Sequence, residues 1–214
     1  MPNPLITIIT ASYRLEGLKN AIRCIDQQSY TNWEHLIIND NNEEIRKELK
    51  GLCDVSKRKW VDCGVRCHMY GGIARNMGIA MAFSYVRERD RDYDNEILSF
   101  LDDDNSWTPN HLQSMVDVLN EHPEASLIAS DFVWVGTNNK DWHETRRCEL
   151  KQGGCDLGNF LYKRKLFFKY GFFNPRTLHK HKWDWEIISK MASGEKNKIF
   201  FTNIPSFIMS YRKK

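Results

Sequence analysis

The apolar positions change period several times along the chain. Pro4-Leu-Ile-Thr-Ile-Ile-Thr10 is a short β-branched run closed by Ala11-Ser12-Tyr13, the pattern of a buried parallel strand. From Leu15 to Gln28 the apolar residues Leu15, Leu18, Ala21, Ile22 and Ile25 recur at three and four positions, which predicts an amphipathic helix. Trp33 to Ile38 reads as a second buried strand ending in Asn39-Asp40-Asn41-Asn42, and Glu43 to Leu52 as a short helix. This β-α-β-α order opens a parallel sheet. Lys59 to Cys63 predicts a third strand, and Gly71-Gly72 opens a helix over Ile73 to Arg87 with Ala74, Met77, Ala80, Met81 and Ser84 on one face. Glu96 to Leu101 is a fourth strand, stopped by Asp102-Asp103-Asp104. Pro109 then stands in the first turn of a helix reaching Glu121, and Leu127 to Val135 follows as a strand.

Beyond that strand the pattern loosens through a polar stretch, Thr137 to Gln152, and the pair Gly153-Gly154. A boundary near residue 136 therefore divides one domain into a half over 1–135 and a half over 136–214. The second half holds an aromatic and basic segment, Asn159 to Phe173, and a loop with His179, His181 and Lys182. A helix with Trp183-Asp184-Trp185-Glu186 in its first turn follows, then short strands at Ile199 to Thr202 and Ser206 to Tyr211. The predicted fold class is α/β, a mostly parallel central sheet flanked by helices with a smaller mixed lobe.

Composition narrows the picture without redirecting it. Hydrophobic residues at 41% and charged residues at 28% exclude a disordered, collagenous or coiled-coil chain. A chain of 214 residues buries roughly 70% of the surface exposed when unfolded, so neither disulfides nor a metal is needed to hold a core. Six cysteines (Cys24, Cys53, Cys63, Cys67, Cys148 and Cys155), with no secretory segment ahead of them, read as reduced thiols in a cytoplasmic protein. Cys63-x-x-x-Cys67-His68 has a zinc-like look but no second pair at ribbon or finger spacing. A net charge of +3 is too even to argue for nucleic acid. The apolar runs fall far short of the roughly 18 residues of a membrane span. The stretch Tyr162 to Tyr170 is either a solvated helix with an apolar underside or a peripheral contact with a membrane surface or lipid-linked acceptor.

Open parallel sheets bind ligands outside the carboxyl ends of their strands. Three predicted strands end in polar residues: Ser12-Tyr13, Asp40, and Asp102 to Asp104. Three adjacent carboxylates repel one another, so they are either a solvated loop capping the next helix or a place where a cation offsets their charge. Hard divalent ions prefer such oxygens and keep positions open for substrate phosphates.

The segment Phe100-Leu-Asp-Asp-Asp-Asn-Ser-Trp-Thr-Pro109 resembles the Asp-x-Asp signature of family 2 glycosyltransferases. Other segments resemble the same family in order. Pro4 to Tyr13 is similar to its first strand and nucleotide-binding turn, Gln28-Ser-Tyr-Thr-Asn-Trp-Glu34 to its Gln-x-Tyr-x-Asn-Phe/Trp-Glu link, and Ile37-Ile-Asn-Asp40 to its Val-Val-Asp-Asp. Gly72-Ile-Ala-Arg-Asn-Met-Gly78 resembles Ala-Arg-Asn-x-Gly, Trp183-Asp-Trp-Glu-Ile187 resembles Glu-Asp-Trp-Asp-Leu, and Tyr211-Arg212 matches a terminal Tyr-Arg. The chain departs from the pattern at Trp183, where the family has Glu, at Arg14, where Asn is usual, and at Lys213-Lys214, where x-His is common.

The resemblance implies a GT-A fold and inverting transfer of a sugar from a nucleoside diphosphate, with UDP-linked donors the expected class, to a hydroxyl of a glycan or lipid-linked acceptor. It implies Mn2+ or Mg2+ at Asp104 and Asp102, with Asp102 and Asp103 also toward the donor. Ala11, Ser12, Tyr13, Asp40 and Arg75 are expected around the nucleotide, Tyr13 stacking on the base and Asp40 accepting from a ring N–H. Asp184 is the expected general base; Trp107, Trp183, Trp185 and Glu186 are expected on the acceptor side, with His179, His181 and the terminal lysines as further metal or phosphate contacts. A noncatalytic sugar-nucleotide or glycan-binding module is the alternative, since at 214 residues the chain is expected to be a nearly bare donor half. A sugar-nucleotide pyrophosphorylase fits less well, because Ala11 to Glu16 lacks a Gly-rich loop.

Overall fold

The computed structural model describes residues 3–53, 56–67, 71–86, 96–136, 143–174 and 183–211, with the backbone alone for Tyr85, Val86, Trp183 and Tyr211. Among the described residues, nine strands form one sheet: β1 (Ile6–Ser12), β2 (Trp33–Asn39), β3 (Arg58–Asp62), β4 (Ile97–Phe100), β5 (Asn105–Trp107), β6 (Leu127–Gly136), β7 (His143–Arg146), β8 (Phe160–Lys163) and β9 (Ile199–Tyr211). The α-helices of the described residues are α1 (Leu15–Asp26), α2 (Glu43–Leu52), α3 (Gly72–Val86), α4 (His111–Glu121), α5 (Lys165–Tyr170) and α6 (Trp183–Gly194). The sheet order is β3-β2-β1-β4-β8-β6-β9-β5, with β7 on β6. The first four are parallel, β8 is antiparallel to β4 and β6, and β9 runs parallel to β6 and antiparallel to β5.

Alternation along the strands assigns the two faces. Ile9, Leu36, Ile38, Leu98 and Phe100 pack with Ala74 and Ile79 of α3 and Ile187 and Ile188 of α6. Ile6, Ile8 and Ile97 turn the other way onto Ala21 and Ile25 of α1 and Leu112 and Met115 of α4. Helices on both faces leave β1 buried along its whole length, which is why it reads as a nearly continuous β-branched run. The link Gln28 to Glu34 is structural: the Gln28 amide donates to the carbonyls of Cys24 and Thr108 and accepts from the Leu112 N–H, tying α1 to α4.

The first half follows the predicted elements to within a few residues. It gains only the short β5. The second half departs further: β7 and β8 are additional, α5 forms within the stretch Tyr162 to Tyr170 for which a helix was one of the two readings, and the two predicted C-terminal strands are one strand, β9, whose register against β6 shifts between Ala129 and Phe132. Asn203 at φ +55° marks the local irregularity. β8 lies between β4 and β6, so the sheet passes without interruption from one half of the chain to the other. Among the described residues no helix is long and apolar enough to cross a membrane.

Candidate active site

Neighbouring β1 and β4 place the turn after Ser12 beside Asp102 to Asp104. Asp103 is the anchor. Its Oδ2 accepts from Ser12 Oγ at 3.1 Å and from the N–H groups of Tyr13 and Arg14 at 2.9 and 2.8 Å. Its Oδ1 accepts from Arg14 Nε at 3.0 Å and from the Arg14 terminal nitrogen. Both oxygens of Asp103, a residue also expected toward the donor, are thus committed to protein donors, and its task in this structure is holding the turn after β1. Arg14, where Asn was the usual residue, supplies the charge that this task uses.

Asp102 turns toward α3, where Arg75 Nε donates to it at 3.1 Å and a second guanidinium nitrogen closes the fork. The segment Ala74-Arg75-Asn76 points three ways. Ala74 fills the core, Arg75 meets Asp102, and the Asn76 side chain exchanges two bonds of 2.9 and 3.0 Å with the Phe173 backbone. Asp104 remains half-exposed, 3.1 Å from an Arg14 nitrogen.

At the start of α6, Asp184 has a fully buried Oδ1 without a hydrogen-bond partner. Asp156, in the turn before β8, joins it: burial lifts its pKa, and it lies within electrostatic reach of Arg75, Asp104 and Asp184. Burial, reinforced by Asp156 and opposed by Arg75, likewise raises Asp184 well above the usual carboxylate range. Asp102 is pushed up to about 7 by burial, which outweighs Arg75, with Asp104 and Asp156 adding to the rise. Arg75 keeps its charge, because these carboxylates outweigh its burial. Asp156 carries no signal in the hydrophobic pattern, since it lies between the Gly153-Gly154 pair and the aromatic segment that starts at Asn159. Its local signal is a capping box: the Asp156 carboxylate accepts from Gly158 N–H and Asn159 Oδ1 accepts from Asp156 N–H.

Most of the residues expected around the nucleotide gather at the ends of β1 and β2. Ala11 and Ser12 are buried, Tyr13 is exposed with the Arg66 guanidinium 3.6 Å from its ring centroid, and buried Asp40 accepts from Cys67 N–H at 2.6 Å. Asn42 donates to the Tyr13 carbonyl at 2.6 Å and caps α2, so the two strand ends are tied together.

The residues expected on the acceptor side are less concentrated. Trp107 is only 3% exposed, stacks on His111, and donates from Nε1 to the Gly158 carbonyl at 3.1 Å. It is a core ring in this structure, buried against His111 rather than presented on the surface. Trp185 packs against the core edge, and Glu186 pairs with Lys190 at 3.0 Å. The Trp183 side chain, His179, His181, Lys213 and Lys214 lie outside the described residues.

Residues 7–194 match Glycosyl transferase family 2. The chain belongs to that family. No curated relative matches it. Among solved structures it is similar to S. aureus TarS 1-349 in complex with UDP-GlcNAc, at a TM-score of 0.70 and 13% identity, covering 98% of this chain and 59% of that one. The mannosyltransferase PcManGT from Pyrobaculum calidifontis, in complex with GDP-Man and Mn2+, gives a TM-score of 0.65 at 14% identity, covering 96% of this chain and 56% of that one. This family 2 chain therefore has the GT-A fold and spans about 60% of the length of such structures.

Proposed function

We propose that this family 2 chain is an inverting glycosyltransferase that moves a sugar from a nucleoside diphosphate, UDP first, to a hydroxyl of a glycan or lipid-linked acceptor. The observation that carries the reading is the unpartnered, buried Oδ1 of Asp184 beside Arg75, Asp102 and Asp156. A carboxylate oxygen without a donor and with a raised pKa is a proton acceptor in waiting. The UDP, UDP-GlcNAc and GDP-Man in similar structures support the donor class.

In this reading Tyr13 stacks on the base and Asp40 accepts from its ring N–H, both held by the Asn42 tie between strand ends. Arg75 faces the diphosphate end. Asp103 keeps the turn after β1 at a fixed distance from Asp102 and Asp104. Asp184 accepts the proton of the acceptor hydroxyl while that oxygen bonds to the anomeric carbon, opposite the departing diphosphate, a contribution of about 10² to 10⁴ in rate.

Asp104 and Asp102 would hold Mn2+ or Mg2+. The donor set fits: half-exposed Asp104 is accessible, and Asp102, Asp156 and Asp184 place carboxylates around one arginine, where burial and mutual repulsion have raised their pKa values. Hard cations of this kind bind through one or two carboxylates together with substrate phosphates. When bound, such an ion stabilises the charge gathering on the leaving diphosphate.

A thermal-shift screen of nucleoside diphosphate sugars with Mn2+ tests the reading. A donor present at 100 times its Kd adds about 2.7 kcal/mol to stability. UDP-sugars are expected to raise Tm and to release UDP when acceptor sugars are supplied. The absence of any shift across the whole donor set would sink the proposal.

A further inference from the structure

The loop after β3 returns a cysteine pair to the end of β2. Cys63 follows β3, Gly64 takes φ +71°, and Cys67 folds back until its N–H reaches Asp40 Oδ1 at 2.6 Å. The turn is secured by Asp62, which accepts from Gly64 N–H at 2.7 Å and is itself gripped by Arg46 and Asn39. As a result one carboxylate oxygen of Asp40 and the sulfurs of Cys63 and Cys67 all lie within 4.8 Å of one another, the one such trio of potential ligands among the described residues. The Asp-x-Asp carboxylates form no such trio.

We infer that Asp40, Cys63 and Cys67 form a second metal site, selective for a soft or borderline divalent ion of the Zn2+ class and distinct from the Asp102 and Asp104 position. Two sulfurs and one oxygen are the ligands such an ion prefers, whereas Mg2+ and Mn2+ favour oxygen alone. The Cys-x-x-x-Cys spacing falls within the usual ligand spacing for zinc. Three protein ligands leave a fourth tetrahedral position open. Missing from the sequence pattern was the third ligand, which comes from 23 residues before Cys63 and is delivered by the parallel register of β2 with β3, Asn39 against Asp62. Binding releases the thiol protons and forms two thiolate-metal bonds and one carboxylate-metal bond, with no change in oxidation state.

The site has a consequence that rests on the donor-binding reading. Asp40 cannot ligate a metal with the same oxygen that accepts from a base, so occupancy by Zn2+ would oppose nucleotide binding.

The direct test needs no nucleotide. The full chain, reduced and free of added metal, is titrated with Co2+ as a spectroscopic stand-in for Zn2+. Thiolate-to-Co2+ charge-transfer absorption at one equivalent, abolished by added Zn2+, is expected. Outer-shell changes alone cost about 10- to 100-fold in metal affinity, so Cys63→Ser and Cys67→Ser should each weaken binding by at least about 100-fold. Asp40→Asn should weaken it without removing the thiolate band, and Cys53→Ser should leave it intact. Thermal melts of each variant show whether it is folded, and the native chain's own titration stands even where a variant is not. Lack of the band in the native reduced chain, or equal binding by the folded Cys63→Ser and Cys67→Ser variants, would overturn the inference. Adding UDP then reads the consequence: competition supports shared use of Asp40, while a thiolate band indifferent to UDP leaves the metal site standing and counts against the nucleotide role of Asp40.

Discussion

Three consecutive aspartates carry three different burdens. Asp103 is 9% exposed and accepts five hydrogen bonds from Ser12, Tyr13 and Arg14; Asp102 is forked onto Arg75; Asp104 is half-exposed. Adjacent carboxylates at a strand end were legible as a candidate site, but their division of labour was not, because it depends on which neighbouring element each side chain faces. The difference is measurable. Asp103→Ala leaves two backbone N–H groups and the Ser12 hydroxyl without their acceptor, and a loss of about 2–4 kcal/mol is expected by urea denaturation. Arg14 is 40% exposed at its side chain and rehydrates, so its ion pair adds little to that loss. Asp104→Ala should stay within about 0.5 kcal/mol of the parent. In calorimetry with UDP, Asp104→Ala should nevertheless lose the dependence on Mn2+. A destabilised Asp104→Ala, or an unaffected Asp103→Ala, would reverse the assignment.

At the scale of elements, periodicity located β1 to α4 because each has an apolar face with a helical or strand repeat. It missed β5, three residues long, and β8, whose four residues are all buried, so neither offers an alternation to detect. It also could not show how tightly α1 sits on the end of β4. A Cβ on Gly17 would come 1.9 Å from the Asp103 carbonyl oxygen, a backbone atom, so the helix and the acidic turn must separate for any larger residue. Gly17→Ala gains about 1 kcal/mol of helix propensity and is still expected to lose about 1–3 kcal/mol net through overpacking, with weaker Mn2+-dependent UDP binding. Gly51, near the end of α2, has nothing within 4 Å of its added Cβ. Gly51→Ala should therefore stabilise by about 0.4–1 kcal/mol and leave UDP binding alone. Opposite signs from the same substitution in two helices distinguish close approach from propensity; a stabilising Gly17→Ala would refute the packing argument.

Across the whole molecule two sets of buried groups titrate in opposite senses. His35 and His111 are fully buried, bonded to Thr10 and Ser206 hydroxyls at 2.9 and 2.8 Å. Burial pushes both down to about 3 from an ordinary 6.5; for His35 the charge of Arg58 adds to it. The unfolded chain therefore binds more protons than the folded one between those values, and each histidine costs stability as pH falls through 6.5, about 2 kcal/mol between pH 7 and pH 5. Asp102 works the other way. With its pKa raised to about 7, the folded state holds a proton the unfolded state has released, so its contribution worsens as pH rises from about 4 to 7. The bare pH curve mixes both, and a variant separates them. His35→Gln can keep a hydrogen bond to Thr10 but has no proton to gain. It should be less stable than the parent at pH 7, with the gap narrowing by about 2 kcal/mol at pH 5. Urea denaturation of both proteins at the two pH values checks this, and a gap that stays constant would mean that His35 is not held neutral by its place between β1 and the β3 arginine.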